Sequence, residues 1–275
     1  MKKRRIFLVL VLIFILFSFA GGYKLSPNYD ETLAQEKELI KSMEKQTGKY
    51  QIWKEETLPA YDVYITFKSG NSLKDMVSLL NSEYSPEKYD KIKIVNLGES
   101  VSNNVPPRKN LVLYYDETEA KFIPKSFVGS FTGYEGEFKD ITEIENVDKL
   151  EEGLFNFGTT ANKFDFSKEF EPYISRLSGL KRLSIRGTSV DCGFIDDLDE
   201  LESLRIDLRD DYNSLKISNT DLIKNSESLE YVTFEYQSIS DEQIEEMEKL
   251  KSECEDKKIS YLYEEKENDV IWEED

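Results

Sequence analysis

One phrase occurs three times in the second half of this 275-residue chain: Leu180-Lys-Arg-Leu183-Ser-Ile185, Leu201-Glu-Ser-Leu204-Arg-Ile206 and Leu229-Glu-Tyr-Val232-Thr-Phe234. It constrains the fold more than any other feature. Apolar residues at alternate positions mark a strand that buries one face. Each copy follows a short helical segment (168–177, 194–198, 221–225), with Ser167 and Thr220 at N-cap positions. Weaker copies flank the three, Phe155-Asn-Phe157 before and Tyr261-Leu-Tyr263 after. Between the first inward residues (155, 183, 204, 232, 261) the intervals are 28, 21, 28 and 29. A helix–strand unit recurring at this spacing cannot bury its apolar face alone and stacks on its neighbours.

The phrase resembles the strand segment of leucine-rich repeat proteins, L-x-x-L-x-L-x-x-N, over residues 145–263. That family places Asn at the ninth position in a buried ladder. Here Thr188, Arg209 and Gln237 stand there, and a charged Arg209 is costly to bury. The resemblance implies an α/β fold, a short irregular solenoid with parallel strands, that recognises protein or peptide on its concave strand face. A non-repetitive α/β domain with similar helix–strand units is the competing architecture.

Upstream, 30–46 reads as a helix with Leu33, Leu39, Ile40 and Met43 on one broad side, a stalk lifting the folded part off a membrane. Val63, Ile65 and Phe67 alternate as a strand. Ser72-Leu-Lys-Asp75 matches a capping box ahead of Leu73, Met76, Val77 and Leu80. Ser85-Pro86 ends that helix, and Ile92 and Ile94 begin another strand. The β–helix–β order predicts parallel pairing. Leu111 to Tyr115 and Phe122-Ile123 read as two strands about a polar turn, and 127–137 as irregular. This part either extends the solenoid or caps it.

The N-terminus decides the expected location. Lys2-Lys-Arg-Arg5 precedes twelve unbroken Ile, Leu, Val and Phe residues from Ile6 to Phe17. Positive charge before an apolar run marks a membrane-inserting leader with its basic end in the cytoplasm. The uncharged stretch from Ile6 to Tyr23 would be about 27 Å long as a helix, against about 30 Å of hydrocarbon. It serves as a single-pass anchor, or, with Ser18-Phe19-Ala20 as a cleavage site, as a signal peptide. Either way residues 24–275 are extracytoplasmic. The expected organisation is leader 1–23, stalk 24–49, α/β part 50–139, solenoid 140–263 and acidic tail 264–275.

Charge narrows the partners. Four of 36 basic residues and none of 55 acidic ones lie in the leader, so the exported part carries 32 − 55 = −23. Such a surface repels nucleic acid and anionic lipid, which leaves membrane contact to the N-terminal helix. The chain has no His, which excludes His triads and imidazole metal sites. No cofactor is expected. Cys192 and Cys254 fall two coils apart on the helical side, about 20 Å at 8–10 Å per packed helix, too far for a disulfide.

Pleating turns the residues between the inward ones onto one face, in columns across the strands: Arg182, Ser203, Tyr231; Ser184, Arg205, Thr233; and Arg186, Asp207, Glu235. Of six Arg beyond the leader, five lie between Arg176 and Arg209. A guanidinium fork suits carboxylate or phosphate. The candidate binding residues are therefore Arg182, Arg186, Arg205, Asp207, Tyr231 and Glu235, with internal pairing such as Arg186 with Asp207 as the alternative. No catalytic motif is present. Gly129-x-x-x-Gly133-x-x-Gly136 lacks the Lys-Ser/Thr of a phosphate loop, and the Asp196–Glu200 acids lack calcium-hand spacing. The expected role is a protein-binding module. A wall-polysaccharide hydrolase or an immunity-type acidic protein is the alternative.

Overall fold

Alternate apolar residues build a single nine-stranded sheet. The computed structural model describes residues 29–47, 63–68, 72–100, 109–131, 135–157, 171–186, 189–208, 216–236, 240–254 and 256–263. The leader, the tail, Ser167, Thr188, Arg209 and Gln237 lie outside them. The strands are β1 (Val63–Lys68), β2 (Ile94–Ser100), β3 (Lys109–Asp116), β4 (Lys121–Phe131), β5 (Glu152–Phe157), β6 (Arg182–Arg186), β7 (Ser189–Asp191), β8 (Ser203–Leu208), β9 (Lys216–Ser218), β10 (Tyr231–Tyr236) and β11 (Lys258–Tyr263). The large sheet runs β1-β2-β3-β4-β5-β6-β8-β10-β11, while β7 and β9 pair separately. Only β2–β3 and β3–β4 are antiparallel, so the protein is α/β with a mostly parallel sheet.

From β4 onward each link repeats one backbone pattern. Glu151 N–H donates to Lys125 O at 3.0 Å. Lys181 and Arg182 N–H converge on Glu151 O, Glu202 and Ser203 on Lys181 O, and Glu230 and Tyr231 on Glu202 O, at 2.9 and 3.0 Å in each pair. The leucine opening each link (Leu150, Leu180, Leu201, Leu229) is at most 1% exposed. At β11 the link is a residue shorter, and Lys257 takes that turn, its Nζ donating to Ser226 O at 2.7 Å. The inward residues Leu183, Ile185, Leu204, Ile206, Val232 and Phe234 are sealed against the helical side. Each such side chain contributes about 1.5–3 kcal/mol.

The helical layer comprises α1 (Tyr29–Thr47), α2 (Leu73–Glu83), α3 (Glu135–Thr142), α4 (Glu171–Ile174), α5 (Asp221–Asn225), α6 (Asp241–Glu253) and 3-10 turns at Val147–Lys149, Ser175–Leu177 and Cys192–Asp197. Ser72 caps α2 as expected, accepting from Asp75 N–H. Its hydroxyl also bonds Asp140, whose second oxygen accepts from Leu73 N–H at 2.7 Å.

Several expectations need correction. Residues 127–131 are strand and 135–142 helix, where irregular chain was expected; Gly129 occupies an inward strand position and hides the alternation. The inward register places Gly153 and Ile259, not Phe155 and Tyr261, beside Leu183 and Val232. A shift of two keeps the same face inward. Thr220 makes no side-chain cap, whereas Ser240 and Gln243 form a full capping box on α6. Nor does α1 stand off as a stalk. Leu39, Ile40 and Met43 are at most 1% exposed in the core, Ser42 donates to Glu83 at 2.7 Å, and Lys88 pairs with Glu38 at 2.6 Å. An apolar side that broad is too costly to leave in water. The sheet is continuous across residue 140, where β4 pairs with β5. No helix of the described residues is long and apolar enough to cross a membrane.

Candidate functional site

The three sequence columns exist in register. Arg182 stands opposite Ser203 and Tyr231, Ser184 opposite Arg205 and Thr233, and Arg186 opposite Asp207 and Glu235. Parallel pairing extends them at both ends. The first row gains Glu152 and Lys258, the second Val128, Leu154 and Ser260, the third Asn156 and Leu262. All six candidate residues therefore share one face, because side-chain direction has a period of two and the register never slips.

Arg182 and Arg205 each reach a carboxylate on a neighbouring strand. Arg182 pairs with Glu152 directly across the ladder, both groups about half exposed. Arg205 reaches diagonally to Glu235, its Nη2 2.7 Å from one oxygen and 2.8 Å from the other. The Glu235 side chain is 9% exposed against 48% for Arg205. Asp207, beside Glu235 on β8, is also buried. Tyr231 packs under Lys258, whose Nζ lies 4.6 Å from the ring centroid and 3.1 Å from the hydroxyl. A cation over an aromatic face is attracted by the ring quadrupole, by about 0.5–1 kcal/mol at an exposed site. Thr233 and Ser260 hydroxyls meet at 3.1 Å.

The face is apolar beyond the expected Tyr231, itself 43% exposed. Val128 is 49% exposed, Leu154 41% and Leu262 56%. Leu154, Glu152 and Lys258 were missed because their strands are the two weak copies of the repeat. Extending the columns by one strand each way finds them. Comparison with protein-family models, curated proteins and solved structures finds no match to this chain.

Further along the same face, Asn96 on β2 is fully buried with both amide atoms unpaired, and the Asn110 Oδ1 on β3 is buried and unpaired too. Gly98 lies between them under the Tyr64 ring, where a Cβ would meet the phenol oxygen at 2.4 Å. On the opposite, helical side an open depression of about 580 Å³ is lined by Lys74, Glu143 and Arg176. Within it Lys74 Nζ is 3.0 Å from Glu143, and Arg176 donates to Thr142 O. The Lys74 hydrogen bond and charge hold the Glu143 carboxyl below its usual range. Among the described residues no trio of Cys, Asp and Glu is arranged to hold a metal ion.

Proposed function

We propose that this protein is an extracytoplasmic recognition module, anchored by its N-terminal segment or secreted, which binds a protein or peptide on the outward strand face. In this reading β4 to β11 form a short leucine-rich-repeat-like solenoid, and the face is its concave side. The observation that carries it is the set of half-exposed apolar and aromatic side chains, Leu154, Tyr231, Val128 and Leu262, interleaved with pre-paired arginines. Apolar side chains in a fixed polar frame, with Tyr and Arg prominent, are what interface cores use. An anionic group on the partner would meet the exposed guanidinium of Arg205.

Asp207 and Glu235, adjacent in register, are the carboxylates a hydrolase would need. Both Glu235 oxygens face the Arg205 guanidinium, leaving neither turned to a substrate. Recognition is therefore favoured over hydrolysis. The test is capture from the native cell surface with the full chain, then titration of the purified partner against Tyr231→Ala and an Arg186→Glu/Arg205→Glu double variant. Weakening by about tenfold or more is expected for an aromatic hot spot. A partner bound equally by all three proteins removes the face as the site.

A further inference from the structure

We propose that the outward strand face selects an acidic, extended peptide segment carrying one aliphatic residue. This rests on the reading of that face as a recognition surface, and adds the chemistry it selects. The charges of the face are sorted by depth. Arg182 and Arg205 are 54% and 48% exposed and Lys258 is exposed, whereas Asp207 and Glu235 are buried. Arg186 is half-buried. Glu152 is the exposed acid of the three rows, and Arg182 already holds it. A ligand therefore meets a cationic surface on a chain of net charge −19.

The cations keep donors to give. Arg205 engages both Glu235 oxygens through Nη2, which leaves its Nε and Nη1 donors without a partner among the described residues. Lys258 meets the hydroxyl and ring of Tyr231 rather than a carboxylate. Hydrogen bonds from such groups to a carboxylate are charge-assisted, and stronger than those to a neutral acceptor.

An apolar contact lies within reach of them. Leu154 and Val128 stand side by side on β5 and β4, both half-exposed. Arg205 is on β8, two strands from β5, and Lys258 on β11, four strands away, which is about 10 and 19 Å at about 4.8 Å per strand. Extended chain at about 3.3 Å per residue covers those spans in about three and six residues. In the row that joins Leu154 to Arg205, Ser184, Thr233 and Ser260 are short, leaving room for a crossing backbone. A nucleic acid or a second copy of the chain is a poorer occupant. Each meets the −19 of the whole chain, whereas a segment with a few acids meets chiefly the charges within a Debye length of about 8 Å.

Selection of displayed random short peptides on the full chain tests this. Expected is enrichment of Asp or Glu about three to six residues from a Leu, Ile or Val, relative to selection without the chain. The enriched peptides should bind Lys258→Glu about fivefold more weakly or worse, and Arg205→Gln more weakly as well. Lys258 is exposed and touches no carboxylate among the described residues, so Lys258→Glu keeps the test open should Arg205→Gln unfold. Peptides without acids overturn the proposal. If those peptides still lose binding to Tyr231→Ala, the recognition face stands and its acidic preference falls; if they are indifferent to Tyr231→Ala, both fall. Acidic peptides bound equally by Lys258→Glu, or displaced equally well by a thymidine oligonucleotide, show general attraction to anions and also overturn it.

Discussion

The rings of Phe127 and Phe155 lie 5.7 Å apart and 24° from parallel, each folded over the glycine two residues away in its own strand. The order is reversed between the strands: Phe127 stands opposite Gly153, and Gly129 opposite Phe155. Two large rings therefore fit side by side where two inward side chains per strand would collide. A Cβ on Gly153 would sit 2.4 Å from the Phe155 ring, and one on Gly129 2.5 Å from the Phe127 ring.

Gly153→Ala is therefore expected to destabilise the fold by about 1–3 kcal/mol, the usual cost of overpacking a core. Gly179→Ala should cost more, because its Cβ would meet the Asp148 carbonyl oxygen at 2.1 Å, a backbone atom that cannot rotate away. Denaturant midpoints of the two variants check the order. Equal midpoints for wild type and Gly153→Ala would mean the ring stack yields freely.

The two arginine pairs should respond differently to truncation. Arg182→Leu leaves Glu152 half exposed, so a change within about 0.5 kcal/mol is expected for a surface pair. Arg205→Leu strips its guanidinium from Glu235, which is nearly buried, and should cost about 1–2 kcal/mol, less than a fully buried pair because Arg205 itself is half solvated. Thermal or urea melts of both variants, with the Arg205→Leu/Glu235→Leu double variant recovering part of the loss, test this.

Asp191 ties the small β7–β9 sheet together. Its carboxylate accepts from Gly193 N–H at 2.9 Å, Asn219 Nδ2 at 2.7 Å and Ser218 Oγ at 3.0 Å. Burial is the largest single influence and pushes its pKa up, but the hydrogen bonds from Asn219, Gly193 and Ser218 together hold it below the usual value. A carboxyl depressed in the folded state stabilises above its unfolded pKa, about 3.9, and loses that contribution as pH falls through the folded value. The melting temperature should thus fall more steeply below about pH 4 in wild type than in Asp191→Asn.

Both cysteines are free and buried, as expected. Burial, with the charges of Asp191 and Asp221 adding to it, pushes the Cys192 thiol up to about 12. Burial raises the Cys254 thiol as well. No reaction with a thiol reagent is expected in the native protein near the ordinary thiol pKa of about 8.5, and two equivalents are expected in denaturant. A fast native thiol would show that one of these links opens.

Local chemistry in the sequence already carried the strands of the repeat, the parallel pairing of β1 and β2, the Ser72 cap and the columns of the outward face. Each depends only on side-chain period and near neighbours, which the order of residues specifies directly. The weak first and last copies were readable to within two residues, because parity survives such a slip. The docking of α1, the Phe–Gly exchange between β4 and β5, and the choice of Glu152 and Glu235 as arginine partners were decided by tertiary structure. Those partners lie 30 residues apart in sequence. Whether an arginine reaches straight across or diagonally depends on strand spacing and burial, which exist only once the sheet has formed.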